Sequence, residues 1–130
     1  MRYLISIILM SIVLSANDIN IIASKECGFN TINHKSIKDL FMKKTKYYKN
    51  THIEVLDNKE CYNSFIQNFL KKTPTRMRVY WTRMIFTGSK KPPKKISNDR
   101  LKKERVSNMC RVSYTTLADI QGWKVIDVTP

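Results

Sequence analysis

The sequence predicts an α/β domain in which a small, mostly parallel sheet is flanked by helices, and three observations lead there. Short runs rich in Ile and Val, at 18–24, 52–56, 111–114 and 123–128, alternate with segments of helical periodicity. Apolar residues make up 42% of the 130 positions, which is enough for one real core and rules out disorder throughout. No internal repeat and no low-complexity tract breaks the alternation.

Residues 1–16 read as an export signal. Arg2 supplies a positive start, 4–14 is an almost unbroken apolar run, and Ser15 or Ala16 offers a small residue for cleavage. The run is short of the ~20 apolar residues that a membrane span needs. Cys27 follows Ser24, Lys25 and Glu26, which do not form a lipoprotein cleavage site. The expectation is a single domain over 17–130, periplasmic, with no transmembrane span in the mature chain.

The first strand, 18–24, carries Ile19, Ile21 and Ile22, and a polar loop through Gly28, Asn30 and Thr31 follows. Ser36 and Asp39 have the spacing of a capping box ahead of Leu40, Phe41 and Met42, so a helix is expected from Ser36 to about Lys44. The basic segment with Tyr47 and Tyr48 reads as a surface loop, and 52–56 as the second strand. Asn58 can cap the next helix, whose buried face is marked by Tyr62, Phe65, Ile66, Phe69 and Leu70. Lys71 and Lys72 end that helix favourably for its dipole.

The stretch 73–93 is the most sharply bounded. Thr73 is a cap, Pro74 sits where a first turn tolerates a missing N–H, and Gly88 can close the other end in a left-handed conformation. Met77, Tyr80, Trp81, Met84 and Ile85 recur as one apolar stripe, with Arg76, Arg78 and Arg83 mainly elsewhere. The run Ser89, Lys90, Lys91, Pro92, Pro93, Lys94, Lys95 can be neither helix nor central strand. A charged helix from Ser97 or Asn98 to about Val106, a strand at 111–114, a helical turn at 115–119 and a closing strand at 123–128 complete the chain.

The formal charge of +14 favours acidic partners: oxyanions, anionic envelope surfaces or an acidic protein. The cations are spread from Lys38 to Lys124 rather than gathered on one segment, so a nucleic-acid interface is not expected. There is no C-x-x-C, and His34 and His52 are isolated, so no metal site and no cofactor are expected. Export allows a disulfide. Cys27 and Cys61 both follow predicted strands, so a parallel sheet would bring them to one end, where they can pair and leave Cys110 free; three unpaired small hydrophobes is the other reading.

The run DINIIAS, the helix SIKDLFMKK, the string YWTRMIFTGSKKPP and the late RVSY followed by WKVIDV stand in one order across nearly all of 18–128. In that order they resemble the phosphate-type periplasmic substrate-binding protein superfamily, the type 2 binding-protein fold, and the chain is similar to one lobe of it. The resemblance implies a protein that binds rather than reacts. It also implies an oxyanion held by hydroxyls and backbone N–H groups at strand ends and helix N-termini. The family's Ser-Gly-Thr run is replaced by Asp57-Asn58-Lys59-Glu60-Cys61, whose two carboxylates would repel phosphate. Candidate ligand residues are then Ser24, Lys25, Asn30 and Thr31 beside Asn58 and Lys59, although all are residue types that also serve as caps and turns. No nucleophile with a base and no Gly-rich phosphate loop is present, so no enzyme is expected.

Two readings follow. One is a solute-binding protein for phosphate or another small oxyanion that serves a membrane transporter. The other is a ligand-free interaction module that docks on an acidic protein partner or envelope structure through Arg76, Arg78, Arg83, Lys90, Lys91, Lys94 and Lys95.

Overall fold

The computed structural model describes residues 18–104 and 108–130; the expected export signal and the expected helix end at Val106 lie outside the described residues. Seven strands form one sheet in the order β2-β7-β1-β6-β4-β3, with β5 also on β4. The centre is β1 (Asn20–Ser24), antiparallel to both β6 (Cys110–Thr115) and β7 (Trp123–Thr129). Next to β6 and parallel to it runs β4 (Thr51–Asn58). On the far edge, β2 (Thr31–Asn33) is parallel to β7. The free side of β4 takes β3 (Tyr47–Tyr48), antiparallel, near its start and β5 (Lys94–Ile96), parallel, near its end. The α/β class with flanking helices therefore holds, but the directions are mixed, because the central strand opposes both its neighbours.

Two short strands fall where loops were expected. The basic tyrosine segment is a hairpin whose two-residue turn, Lys49 and Asn50, takes positive φ of 49° and 62°, the geometry that suits the twist of paired strands. Lys94–Ile96 pairs only with β4, an edge position that tolerates Pro92 and Pro93 just before it.

The helices begin where side chains satisfy their first N–H groups. Asn33, not Ser36, caps α1 (His34–Phe41): its side-chain oxygen accepts from the Ser36 amide at 2.7 Å, so Ser36 lies inside the helix. Helix α2 (Tyr62–Phe65) continues as a π-helical turn, Ile66–Leu70, and stops at Lys71 in a left-handed conformation, φ 55°. Helix α3 (Pro74–Phe86) has the expected ends, with Thr73 accepting from the Arg76 amide at 3.1 Å and Gly88 at φ 71°. Helix α4 (Asn98–Lys103) is capped by Ser97, which accepts from the Arg100 amide at 3.2 Å. Where a helical turn was expected at 115–119, Thr115 ends β6 and 116–118 form a bend.

Alternation along the strands gives the sheet two buried faces. Ile21, Val55, Val112 and Ile126 join α1, α2 and α3 in the larger core. Ile22 and Leu56, one residue along, turn to the other face and pack with Ile96, Leu101, Ile120 and Trp123. The Trp123 indole N–H donates to the Leu101 carbonyl at 2.9 Å, which closes α4 onto this smaller core.

The disulfide is Cys27–Cys110, not Cys27–Cys61. Because β1 runs against β6, and β6 runs with β4, the residues after β1 meet the start of β6 while Cys61 follows β4 at the opposite end. Cys61 is buried and free, and burial together with the Glu60 charge pushes its thiol up to about 11, which keeps it unreactive. The bridge spans 83 residues, a loop whose closure in the unfolded chain is worth about 4 kcal/mol. Replacing Cys27 and Cys110 together with Ala should lower unfolding stability by about 2–5 kcal/mol in urea titrations. Reducing agent should destabilise the parent protein and leave that double variant unchanged.

Candidate functional site

Strand β4 ends in Leu56-Asp57-Asn58, and the parallel pairing with β5 sets Lys95 directly opposite Asp57. Above them a cavity of about 510 Å³ opens between β4, the first turn of α2, the buried side of α3 and the Pro92-Pro93 loop. Its walls include Asp57, Tyr62, Arg78, Trp81 and Lys95. The Lys95 ammonium lies 3.6 Å from the centre of the Tyr62 ring, a cation–π contact that fixes the charge at the rim. Arg78 and Lys95 form no salt bridge among the described residues; the Lys95 charge acts on Asp57, and Arg78 borders both this cavity and the outer shelf of α3.

The floor is a network that begins in the core. Tyr114 stacks on Phe65 with ring centres 3.7 Å apart, and its hydroxyl donates to the Asp57 carboxylate at 2.9 Å. Burial pushes Asp57 up from 3.8 to about 7 even though the Tyr114 hydrogen bond and the Lys95 and Lys43 charges pull it down. Around neutrality this carboxyl is therefore partly protonated and can donate as well as accept. Burial, with the Asp57 charge, raises Tyr62 to about 12, so its phenol stays neutral.

Beside Asp57, Asn58 is fully buried: its amide donates to Asn98 Oδ1 at 2.6 Å and to the Tyr114 carbonyl at 3.0 Å, and its oxygen accepts from the Glu60 amide at 2.9 Å. Asn98 in turn accepts from the Thr115 hydroxyl at 2.8 Å and donates to Glu60. Burial thus holds Asp57 partly protonated, while Glu60, hydrogen-bonded by Asn98, keeps its charge in the recess beside the cavity. Asn58 caps no helix; it orders the turn out of β4.

The six expected ligand residues do not come together. Ser24 lies at the opposite end of the sheet, where its hydroxyl accepts from the Arg111 amide at 2.9 Å, and Lys25 is exposed beside it. Asn30 and Thr31 are on the β2 edge, four strands from β4, or about 19 Å at the usual spacing. There Asn30 accepts from Lys124 at 3.1 Å. Lys59 stands next to the cavity, in a shallow recess that shares Tyr62, Asn63 and Lys95 with it.

Of the expected docking residues, Arg78 and Lys95 belong to the cavity, while Arg83, Lys90 and Lys91 lie along the outer side and the end of α3. Lys94 is 4.0 Å from Glu104, and Arg76 is exposed on the first turn of α3. Sequence reading missed Asp57, Tyr62 and Trp81 as cavity residues. The usable signal was the lone Asp at a strand end facing a Lys-Lys pair after two prolines. Among the described residues no group of three or more His, Cys, Asp or Glu could hold a metal ion, and no helix is long and apolar enough to cross a membrane.

The fold is distantly like that of periplasmic binding proteins. An ABC-type phosphate transport receptor from Vibrio cholerae superposes with a TM-score of 0.53 at 11% identity, over 85% of this chain and 45% of the receptor. The chain thus spans under half the length of that receptor. No family model matches the sequence, and no curated protein matches it.

Asp57 makes stability depend on pH. Its folded value lies above its ordinary one, so the native state holds a proton that the unfolded chain has already lost, and stability falls as pH rises from about 3.8 to about 7. Asp57→Asn should flatten that slope. Above neutrality it should be more stable than the parent by on the order of a few kcal/mol in urea unfolding. A parallel pH profile for the two proteins would refute the assignment.

Proposed function

We propose that this is a non-enzymatic, exported binding protein that takes phosphate or another small oxyanion in the cavity at the end of β4. The observation that carries the reading is the convergence of two cations, Arg78 and Lys95, neither in a salt bridge among the described residues, on a cavity with a buried carboxyl held near neutrality. The cations supply charge-assisted hydrogen bonds, and Asp57 can donate when protonated. Tyr62 and Trp81 form apolar walls beside them. The likeness to a phosphate transport receptor supports the ligand class, and the disulfide supports an oxidising compartment such as the periplasm.

A second reading, docking through the basic surface, has its own support. From Cys61 to Asn98 there are nine Lys or Arg and no Asp or Glu, and part of this segment is exposed apolar surface.

Phosphate titrated by calorimetry at low and moderate salt should give one saturable site. Arg78→Gln and Lys95→Gln should each weaken it about tenfold. Sulfate, whose charge is constant across neutrality, should bind more tightly as pH falls through about 7, and Asp57→Asn should abolish that trend. Asn58→Ala is unsuited to this test, because Asn58 is a fully buried member of the floor network. Heat that vanishes at moderate salt, or that survives both cation replacements, would rule the site out.

A further inference from the structure

The outer side of α3 is unlike a solvated helix face. Met77 and Trp81 are buried, and the Tyr80 hydroxyl donates to the Met42 carbonyl at 2.7 Å, so the expected stripe does anchor the helix. Ile85, expected in that stripe, is instead 55% exposed, and Val79 and Phe86 are 53% and 90% exposed. Val79 and Phe86, two turns apart, share a shelf with Thr82 and with the cations Arg78 and Arg83. Ile85 opens onto a neighbouring basin of about 490 Å³ whose polar walls are Lys43, Lys46, Lys90 and Lys91. None of these four lysines forms a salt bridge among the described residues.

We infer that the C-terminal half of α3 is a docking face for an anionic lipid surface, with Phe86 and Ile85 entering the apolar boundary and the lysine basin holding headgroup phosphates. This deepens the docking reading and rests on it; its lysine basin shares no residue with the oxyanion cavity, and its shelf shares Arg78 alone. Charge complementarity selects the occupant. The face carries an exposed aromatic and two exposed aliphatics inside a ring of cations, and no carboxylate occurs from 61 to 98 to repel phosphates. An acidic protein would match the ring, but it must also supply an apolar pocket for Phe86. A lipid interface supplies both from one chemistry, which is the pattern of interfacial helices. Each lysine near such a surface adds about fivefold to partitioning.

The test sediments the protein, as recovered from the producing cell, with vesicles of phosphatidylglycerol in phosphatidylcholine and with vesicles of phosphatidylcholine alone. Binding is expected to the anionic vesicles and to decline with salt. Gln at Lys43, Lys46, Lys90 and Lys91 together should reduce it by about 100-fold or more. Phe86→Ser should reduce it by about tenfold. Gln at Lys25, Lys35, Lys102 and Lys103, exposed lysines elsewhere, is the charge-matched control and should cost far less. Lys95→Gln, which removes a cation of the oxyanion cavity and none of the shelf or the basin, should retain most of the binding. Any contribution of the apolar segment 4–14 is common to all variants and appears with phosphatidylcholine alone. Equal loss in the charge-matched control, or indifference to Phe86, overturns the lipid face. Capture on immobilised polyglutamate with the same lysine dependence, without vesicle binding, overturns the lipid assignment but keeps the docking reading. Binding to neither surface removes both.

Discussion

The Tyr114 side chain is the contact through which the interior and the candidate site constrain each other. Its ring is stacked between β6 and the helical layer on Phe65, with Phe41 set against both, and its hydroxyl reaches out of that apolar cluster to Asp57. A carboxyl at 5% exposure is tolerable because this hydrogen bond and a partial proton satisfy it. The Tyr114 carbonyl also accepts from Asn58, so the turn out of β4 is held by the same residue. The position of the cavity floor is therefore set by core packing, and its rim by the β5 pairing that delivers Lys95.

Polar groups in the interior form closed sets. Among the described residues no buried side-chain nitrogen or oxygen lacks a partner, and the Asn58, Asn98, Glu60 and Thr115 cluster is a continuous example. At the opposite end of the sheet, Arg111 is flanked by Glu54 at 3.3 Å and Glu104 at 2.8 Å, half-buried charges that tie the ends of β4 and α4 to β6 near the disulfide. One end of the sheet is thus covalently and ionically locked, and the other carries the cations of the cavity.

That separation gives functional meaning to a high positive charge. Asp39, Glu54 and Glu104 pair with Lys35, Arg111 and Arg100, and the charged residues from 61 to 98 are all cations. The two cationic features on this segment differ in depth. The cavity holds Arg78 and Lys95 against a buried acid, a geometry suited to a small ion. The α3 end offers lysines around protruding apolar groups, a geometry suited to an extended surface.

The bounds of α3, the strands at either end and the α/β class were legible in the amino-acid order alone, because caps, prolines and period-2 or period-3.6 apolar spacing act over a few residues, and the order of the motifs carried the distant likeness to the binding-protein fold. The Cys27–Cys110 bridge, the Asn33 cap, the two edge strands and the scattering of Ser24, Asn30 and Asn58 were not. The bridge and the scattering depend on which way a strand runs beside its neighbour, and nothing local to β1 reveals that it opposes both β6 and β7; the Asn33 cap and the Lys49-Asn50 turn are local, but Ser36 and the basic composition masked them. Likewise Asp57 reads as a repelling charge in sequence and becomes a near-neutral hydrogen-bonding group only in the fold. Desolvation is a property of everything packed around a group, and the chain cannot express it until Tyr114, Trp81 and Lys95 are brought to the same place.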